Sequence, residues 1–307
     1  MNIAVIDLGT NTFNLLIIEP LTQGKFNIKY SNKLESKLGR GGIHNSIITP
    51  EAMQRGISCL KQHKLTIEKF NCSKVLAFGT SALRNATNAD EFIKKSKQET
   101  GIDITVISGD AEAELIFLGN KWAVEMPTTS LILDIGGGSN EFIIADKNTI
   151  YWKKSFELGM QRLLNMFPLK DPICLTDLTE LEQYFDKQLL ELTDALLKYP
   201  TNILVGSSGS FDTFRQMLEQ KNNDSNTSSS PTLSYSFTNN DFEYLHTIFT
   251  TQTQDTLRQI DSIDLMRVEM LPIASVFVNY IIKKYSIKTI IQSSYSLKEG
   301  AVFKYLL

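Results

Sequence analysis

Residues 4–19 read AVIDLGTNTFNLLIIE, and residues 131–146 read LILDIGGGSNEFIIAD. In each stretch an apolar segment ends in an aspartate, Asp7 or Asp134. One apolar residue and a glycine then open a short polar turn before a second apolar segment. The two stretches align at an offset of 127 residues, which indicates an internal repeat of a strand, a tight turn and a strand. The repeat predicts two similar halves, with their glycine turns facing each other across a cleft.

Strand-like and helix-like segments alternate between the two copies and after the second one, which is typical of an α/β protein. The linker at 125–129 predicts an N-terminal α/β domain at 1–124 and a C-terminal α/β domain at 125–307. The terminal helix, about 297–307, could return to pack on the first domain. The other predicted helices lie at about 50–65, 89–100, 111–122, 159–167, 177–198, 210–219, 239–251 and 264–284, and further strands at 26–30, 75–78, 103–107, 149–156, 202–205 and 288–292.

The composition is that of a globular chain and argues against several classes of protein. Of 307 residues, 42% are apolar and 21% are charged, and the net charge of −3 lacks the basic excess of a general nucleic-acid binder. The apolar stretches are too short to span a membrane, the start lacks the basic region of a signal peptide, and the three cysteines form no C-x-x-C pair. We therefore expect a cytoplasmic protein without nucleic-acid or membrane partners. The polar segment 222–231 predicts a mobile loop.

Three glycine-rich turns are candidate phosphate sites, because glycine lets consecutive backbone N–H groups approach an anion. Two are the turns of the repeat, and the third lies between a strand and a helix, whose N-terminal N–H groups also favour anions. Asp7, Asp134 and Glu141 would repel a phosphate unless a cation such as Mg²⁺ lay between them, so they are the candidate metal ligands. Ordinary hairpin turns are the alternative interpretation. The candidate phosphate-binding residues are Gly9, Thr10, Asn11, Thr12, Gly136, Gly137, Gly138, Ser139, Gly206, Ser207, Ser208 and Gly209.

Two further segments carry residues suited to phosphate chemistry. Arg84 follows a predicted strand, and its guanidinium suits a bidentate phosphate contact, although a surface ion pair would also explain it. The acidic segment 110–114 opens a predicted helix, where carboxylates complement the helix dipole. The functional interpretation is that one of these carboxylates faces the cleft and deprotonates water. With only three histidines in the chain, a histidine-based triad has little support.

Five motifs lie at set places along the chain: DLGTNT at 7–12, GTSALRNATN at 79–88, ISGDAEAELIFLG at 107–119, LDIGGGSNE at 133–141 and VGSSGS at 205–210. In their order and spacing they resemble the exopolyphosphatase and guanosine pentaphosphate phosphohydrolase family (Ppx/GppA), and the resemblance covers nearly the whole chain. That family belongs to the superfamily of actin, sugar kinases and the Hsp70 ATPase, in agreement with the repeat. Two late segments, RVEMLP at 267–272 and LKEG at 297–300, also look like family motifs.

The resemblance implies two duplicated actin-like (ribonuclease H-like) domains and an activity. Family members remove the terminal phosphate of inorganic polyphosphate, or the 5′ γ-phosphate of pppGpp, with Mg²⁺. On this resemblance Glu112 is the catalytic base and Arg84 contacts the phosphate, while Arg162 and Lys298 match other basic positions. The resemblance also suggests a homodimer, and the length of 307 residues suggests a short form with an open cleft that takes short polyphosphates or a nucleotide polyphosphate.

Three departures from the family pattern keep alternatives open. Ala111 and Glu114 stand where the family has a glutamate and an arginine, and Lys298 stands where it has an arginine. A negative charge at Glu114 would weaken polyanion binding or raise the pKa of the base. The alternatives to an exopolyphosphatase are a pppGpp 5′-phosphohydrolase, a non-catalytic alarmone sensor, a kinase of the same superfamily and an actin-like filament protein.

Overall fold

A computed structural model describes residues 1–22, 24–222 and 232–306. The loop predicted at 222–231 lies outside the described residues apart from Asn222. The described residues form two mixed β-sheets with helices against them. None of the described helices is both long and apolar enough to cross a membrane.

The first sheet has five strands in the order β3-β2-β1-β4-β5. Strands β1 and β2 form the antiparallel hairpin of the first repeat copy, and β3 pairs antiparallel with β2. Strands β4 and β5 extend the other side of β1 in parallel. The bounds are β1 at Asn2–Leu8, β2 at Thr12–Pro20, β3 at Phe26–Glu35, β4 at Cys72–Gly79 and β5 at Ile104–Val106.

The second sheet has six strands in the order β10-β11-β9-β6-β7-β8. Read from β8, and without the edge strand β10, this order repeats that of the first sheet strand by strand. The predicted duplication and the actin-like α/β fold are confirmed. The bounds are β6 at Ser130–Ile135, β7 at Asn140–Ala145, β8 at Ile150–Phe156, β9 at Ile203–Ser207, β10 at Ser234–Phe237 and β11 at Thr289–Ser293.

The helices form the outer layers and one layer between the sheets. Helices α1 and α3 pack on the first sheet, and α8, α9 and α11 cover the second. The bounds are α1 at Pro50–Lys69, α2 at Ser81–Asn85, α3 at Ala89–Thr100, α4 at Gly109–Ala123, α5 at Met160–Met166, α6 at Leu175–Gln188, α7 at Leu190–Lys198, α8 at Gly209–Lys221, α9 at Asn239–Thr251, α10 at Gln254–Leu257, α11 at Leu271–Lys284 and α12 at Leu297–Tyr305.

The middle layer consists of α4 and α12, which cross between the two sheets. Helix α4 packs on β6, β7 and β8 of the second sheet, and α12, at the far end of the chain, packs on β1 of the first. The helices cross at two glycines, because a Cβ on Gly119 would lie 2.1 Å from the Ser296 carbonyl oxygen and one on Gly300 would lie 1.7 Å from the Leu115 carbonyl oxygen. This close crossing seals a third apolar core between the sheets.

Some predicted helix bounds are wrong. The helix predicted at 264–284 begins only at Leu271, after a short 3-10 turn at Leu265–Arg267, because Pro272 occupies its first turn and lacks a backbone donor. The helix predicted at 177–198 is two helices, interrupted at Leu189, whose ψ of 21° leaves the helical range. No glycine or proline marks this break in the sequence. The short elements α2, β10 and α10 lacked a periodic pattern long enough to predict.

Candidate active site

A cavity of about 510 Å³ lies between the two sheets, where the glycine turns meet. The turns of the two repeat copies face each other and touch. A Cβ on Gly138 would lie 2.5 Å from Thr10 Oγ1, and one on Gly137 would lie 2.6 Å from Asn11 Nδ2. The sequence-based expectation of two turns facing across a cleft is confirmed. Glycine is required here because a side chain would separate the two halves.

The carbonyl groups of the second glycine turn are all held from behind. The N-terminus of α5 donates backbone hydrogen bonds of 2.8–3.2 Å to the carbonyls of Gly136, Gly137 and Gly138. In a trans peptide the next N–H points opposite to the carbonyl, so the N–H groups of Gly137, Gly138 and Ser139 point away from α5. Among the described residues these three N–H groups have no acceptor. This is the arrangement of an anion-binding turn.

The first glycine turn is built in the same way. Backbone N–H groups of Ser36 and Lys37 bind the carbonyl of Asn11 at 3.0 and 2.8 Å, and that of Gly39 binds the carbonyl of Thr10 at 3.0 Å. The N–H groups of Asn11 and Thr12 follow these carbonyls in the chain and therefore point away from residues 36–39. The two copies of the repeat therefore share a hydrogen-bonding pattern as well as a sequence pattern. In both copies the tip of the glycine turn presents backbone N–H donors.

Arg84 and Glu112 form an ion pair beside the second turn. Arg84 Nη1 lies 2.7 Å from Glu112 Oε2, and Arg84 Nη2 donates to Ser139 Oγ at 3.5 Å. Burial raises the pKa of Glu112 well above its usual range, Glu141 raises it further, and Arg84 opposes both. Burial works against the charge of Arg84, but Glu112, Glu141 and Glu157 together outweigh it and raise the pKa of the guanidinium. Among the described residues Glu112 Oε1 has no hydrogen-bond donor, and Glu112 lines the cavity.

Glu141 accepts two hydroxyl groups in the buried wall of the cavity. Ser139 Oγ and Ser155 Oγ both donate to Glu141 Oε1 at 2.7 Å. Burial, followed by the charge of Asp134, raises the pKa of Glu141 to about 7. The hydrogen bonds from the two serines and the charge of Arg84 lower this pKa, but by less than burial and Asp134 raise it.

Asp134 is bound by hydroxyl groups from two separate parts of the chain. Ser207 Oγ donates to Oδ2 at 2.6 Å, Ser208 Oγ donates to Oδ1 at 2.7 Å, and Ser296 Oγ also donates to Oδ2. The residue thus joins the end of β6 to the third glycine turn and to the start of α12. Its place matches that of Asp7 in the first copy, whose Oδ2 accepts from Asn14 Nδ2 at 3.0 Å.

Lys298 lies among acidic side chains at the start of α12. Its Nζ is 3.9 Å from Glu299 Oε1, and although burial opposes its charge, Glu299, Asp7 and Asp212 together raise the pKa of the ammonium. Burial raises the pKa of Asp7 to about 6, with Lys298 acting against it. Lys298 lines the cavity and provides a fixed positive charge there.

The donor set fits Mg²⁺ only together with a substrate. Among the described residues no three acidic, histidine or cysteine side chains converge on one point. Mg²⁺ usually binds through one or two carboxylates, with waters and substrate phosphates completing its ligands. Asp134, Glu141 and Asp7 supply hard oxygens of this kind, and all three line the cavity.

The other predicted phosphate-binding residues occupy different places. In the third turn, Ser208 and Gly209 line the cavity, whereas Gly206 faces the ring of Phe211, where a Cβ would lie 2.1 Å from a ring atom. Arg162 binds the Gly138 carbonyl at 3.1 Å and Glu157 Oε2 at 2.5 Å, so it braces the second turn from outside the cavity. The phosphate contacts of these residues remain predictions.

Several residues around the site were missed by the sequence reasoning. Glu157 accepts hydrogen bonds from Ser81 Oγ at 3.1 Å and from Arg162, and lies 3.8 Å from Arg84. Ser155 and Ser296 bind the acidic residues, but lone serines in a sequence carry no such signal. Glu114, expected near the site, forms ion pairs instead with Lys153 and with Lys304 at 3.2 Å.

A model of the Ppx/GppA phosphatase family matches residues 17–307. The chain belongs to the Ppx/GppA phosphatase family. The predicted family is confirmed, and with it the predicted class of enzyme, a hydrolase of phosphate compounds. The family is generally metal-dependent.

The chain resembles proteins from several bacteria. A crystal structure of an exopolyphosphatase from Cytophaga hutchinsonii is 38% identical, covers 99% of this chain and 97% of that one, and superimposes with a TM-score of 0.95. A putative exopolyphosphatase from Haemophilus influenzae is 30% identical over 216 residues, which are 70% of this chain and 67% of that protein. A bifunctional 3-dehydroquinate synthase/phosphatase from Fusobacterium nucleatum is 36% identical over 179 residues, 55% of this chain but only 27% of that protein's length.

Proposed function

We propose that this chain is an exopolyphosphatase, which hydrolyses the terminal phosphate of inorganic polyphosphate in the cavity between its two sheets. The observation that carries the proposal is the juxtaposition of two anion-binding glycine turns with a buried carboxylate, Glu112, held 2.7 Å from Arg84. Backbone donors for phosphate oxygens and a carboxylate for water are the two requirements of phosphoryl transfer to water. The likeness to the Cytophaga hutchinsonii exopolyphosphatase supports the same substrate.

In the proposed reaction, the tip N–H groups of the two turns and Arg84 bind the oxygens of the terminal phosphoryl group. Glu112 Oε1, which has no other donor among the described residues, accepts a proton from a water molecule. The water oxygen forms a bond to the terminal phosphorus as the bridging P–O bond breaks. The shortened chain leaves with the bridging oxygen and its electron pair. Arg84 opposes the rise in the pKa of Glu112, which favours its ionised form, and stabilises charge on the phosphoryl oxygens during the reaction.

Asp134, Glu141 and Asp7 would hold Mg²⁺ together with the substrate phosphates. When bound, Mg²⁺ neutralises phosphate charge and lowers the barrier to nucleophilic attack. The hydroxyl groups of Ser207, Ser208 and Ser296 fix the orientation of Asp134 for this role. Lys298 supplies a second positive charge on the same side of the cavity.

Two further functions rest on the same site. A pppGpp 5′-phosphohydrolase would use the same turns and base on a nucleotide, since the reacting group is again a terminal phosphate. A non-catalytic alarmone sensor remains the alternative that Ala111 favours, because that position lacks the second glutamate of the family. We further propose two domains, 1–124 and 125–307, in a cytoplasmic homodimer, on the grounds of the repeat, the unpaired cysteines and the family resemblance.

Release of inorganic phosphate from polyphosphate and from pppGpp tests the proposal directly. The assay compares the wild-type chain with Glu112→Gln at fixed enzyme and Mg²⁺ concentrations. We expect release from polyphosphate and a decrease in kcat of roughly 10²-fold or more in the variant, the usual size for a general base. Release from pppGpp alone would show the nucleotide phosphatase, and binding without release would show the sensor. An unchanged kcat in a folded variant would exclude Glu112 as the base.

A further inference from the structure

Asn120 is a polar residue in an apolar part of the fold. It lies on helix α4 and is fully buried. Ile116 and Val124, one turn before and one turn after it on the same face of the helix, belong to the apolar core between the sheets. Among the described residues the buried Oδ1 atom of Asn120 has no hydrogen-bond donor. An unsatisfied buried oxygen costs stability, so the stability of the fold does not account for an asparagine at this position.

The contacts of Asn120 fix the orientation of its amide group. Nδ2 donates to the Ile116 carbonyl oxygen at 2.9 Å and to Ser207 Oγ at 3.4 Å. If the amide were turned over, Oδ1 would face the Ile116 carbonyl oxygen, and the two acceptors would repel each other. Asn120 therefore presents an N–H donor, and not an acceptor, to the hydroxyl group of Ser207.

Ser207 connects Asn120 to Asp134. A hydroxyl group has one proton to donate and can accept two hydrogen bonds. Because Asn120 donates to Ser207 Oγ, the single proton of this hydroxyl is directed to Asp134 Oδ2, which lies 2.6 Å away. The donated hydrogen bond also polarises the O–H group and strengthens its bond to the carboxylate. Ser207 and Asp134 are both buried and lie opposite each other on the paired strands β9 and β6.

Helix α4 thus contributes to the site at two points. Glu112, the proposed base, lies in its first turn, and Asn120 follows about two turns later. Ser207 is the last residue of β9, directly before the third glycine turn, and Asp134 lies near the end of β6. The same helix therefore carries the base and, through Ser207, fixes the orientation of a proposed metal ligand.

We propose that Asn120 is a positioning residue, which directs the Ser207 proton to Asp134 and thereby holds this carboxylate in the orientation that binds Mg²⁺. The inference rests on the proposed function for the role of Asp134 as a metal ligand. Asn120 acts only through Ser207, since it does not line the cavity itself. A carboxylate that is already oriented loses less freedom when it binds a cation, so Asn120 raises the affinity for the metal.

Binding of Mn²⁺ in the presence of inorganic phosphate tests the inference without turnover. Mn²⁺ takes the same kind of oxygen ligands as Mg²⁺, and the electron paramagnetic resonance signal of the free ion measures how much has bound. In Asn120→Thr the hydroxyl can still donate to the Ile116 carbonyl, but the side chain is one atom shorter and loses its contact with Ser207. We expect the Kd for Mn²⁺ to rise by about threefold to tenfold, since loss of a partner behind a metal ligand weakens metal binding by this order or more.

A double-mutant cycle with Ser207→Ala separates positioning from a general structural effect. Ser207→Ala should raise the Kd for Mn²⁺ by about tenfold, and adding Asn120→Thr should then change nothing further, because the connection to Asp134 is already lost. Additive effects of the two substitutions would overturn the inference. Asn120→Ala is measured in the same cycle as a second variant, in case threonine disturbs the helix.

Asn239→Ala is the matched control for these variants. The Asn239 amide also donates to a backbone carbonyl, that of Ile287 at 2.8 Å, but the residue lies outside the cavity. Its substitution should leave the Kd for Mn²⁺ within about twofold of the wild type, because it removes a hydrogen bond of the same kind without touching Ser207.

Phosphate release from polyphosphate by the same variants separates this inference from the proposed function. If the wild type binds Mn²⁺ and the cycle shows the expected coupling, but no phosphate is released, the proposed activity is wrong and the inference stands. If the wild type releases phosphate and Asn120→Thr leaves the Kd for Mn²⁺ unchanged, the inference is wrong and the function stands. A wild type that binds no Mn²⁺ would also overturn the inference.

Discussion

Arg84 Nη1 and Glu112 Oε2 lie 2.7 Å apart, although 28 residues separate them in the chain. Arg84 comes from the short helix after β4, and Glu112 from the first turn of the helix that crosses to the second sheet. The pair thus joins the first sheet to the helix between the sheets at the edge of the cavity. One guanidinium holds the carboxylate and also reaches Ser139 of the second glycine turn.

Replacing Arg84 should abolish most of the activity. In Arg84→Gln the buried Glu112 loses the cation that opposes the effect of burial, so the pKa of the carboxyl rises further and the ionised, basic form becomes less populated. We expect kcat/KM for polyphosphate to fall by about 10²-fold or more, and Arg84→Lys to recover only part of it because an ammonium lacks the planar fork. Phosphate-release kinetics measure both variants. Lys64→Gln, which removes an exposed charge on α1, is the control. Near-normal activity of Arg84→Gln would show that the ion pair between Arg84 and Glu112 is not needed for the reaction.

Neutralising Glu114 should have little effect on activity. The sequence alone suggests a negative charge beside the site, but Glu114 is paired with Lys153 and Lys304, and these two lysines lower the pKa of its carboxyl. We therefore expect Glu114→Gln to leave kcat and KM within about twofold of the wild type, because an exposed ion pair acts weakly over distance. Phosphate-release assays run beside Glu112→Gln give the comparison. A strong gain in affinity for polyphosphate would instead show that Glu114 acts on the substrate.

A methyl group at the helix crossing should destabilise the fold. Gly300→Ala in α12 would ordinarily stabilise a helix by up to about 1 kcal/mol. Here the new Cβ would lie 1.7 Å from the Leu115 carbonyl oxygen, so α4 and α12 must move apart. We expect a net loss of about 1–3 kcal/mol in the free energy of unfolding, measured by urea denaturation.

Gly101→Ala is the control for this crossing. Gly101 ends α3 with a φ of 74°, and a Cβ there meets no atom within 4 Å. Its substitution should cost only the backbone strain of about 1 kcal/mol. A stabilised Gly300→Ala variant would contradict the close crossing of the two helices.

His246 should make the second half sensitive to acid. Burial, and then the charge of Lys283, lowers the pKa of His246 from 6.5 to about 4. Because the folded pKa lies below the unfolded one, the unfolded chain takes up the proton first as the pH falls. This group therefore leaves stability unchanged above about pH 6.5 and lowers it progressively between 6.5 and 4.

The free energy of unfolding is compared between the wild type and His246→Gln, because other groups also titrate in this pH range and would change both proteins alike. Between pH 7 and pH 5 the wild type should lose about 1 kcal/mol more free energy of unfolding than His246→Gln, after allowance for the partial exposure of the ring. Glutamine can keep a hydrogen bond to Ser275 Oγ, which lies 3.3 Å from His246 Nδ1. If the free energy of unfolding changed with pH by the same amount in both proteins, the lowered pKa of His246 would be contradicted.

The sequence by itself determined the repeated hairpin, the three glycine turns and most of the helices. These features follow from local rules: apolar periodicity sets strands and helices, and glycine permits tight turns. Helix α3 at Ala89–Thr100 and α9 at Asn239–Thr251 have the predicted bounds, since Gly101 ends the first and Thr238 caps the start of the second. The match of Asp7 with Asp134 was also readable from the repeat alone.

Only the tertiary structure decided which distant residues meet. The crossing of α4 and α12, the serines around Asp134 and the approach of Arg267 to Gly209 all join segments that are far apart in the chain. Such contacts depend on how the two sheets pack and not on residues that are close in sequence. They therefore cannot be predicted from local sequence patterns. For the same reason Glu114, two residues from Glu112, turns to Lys153 on the other side of its helix, since residues two apart on a helix do not share a face.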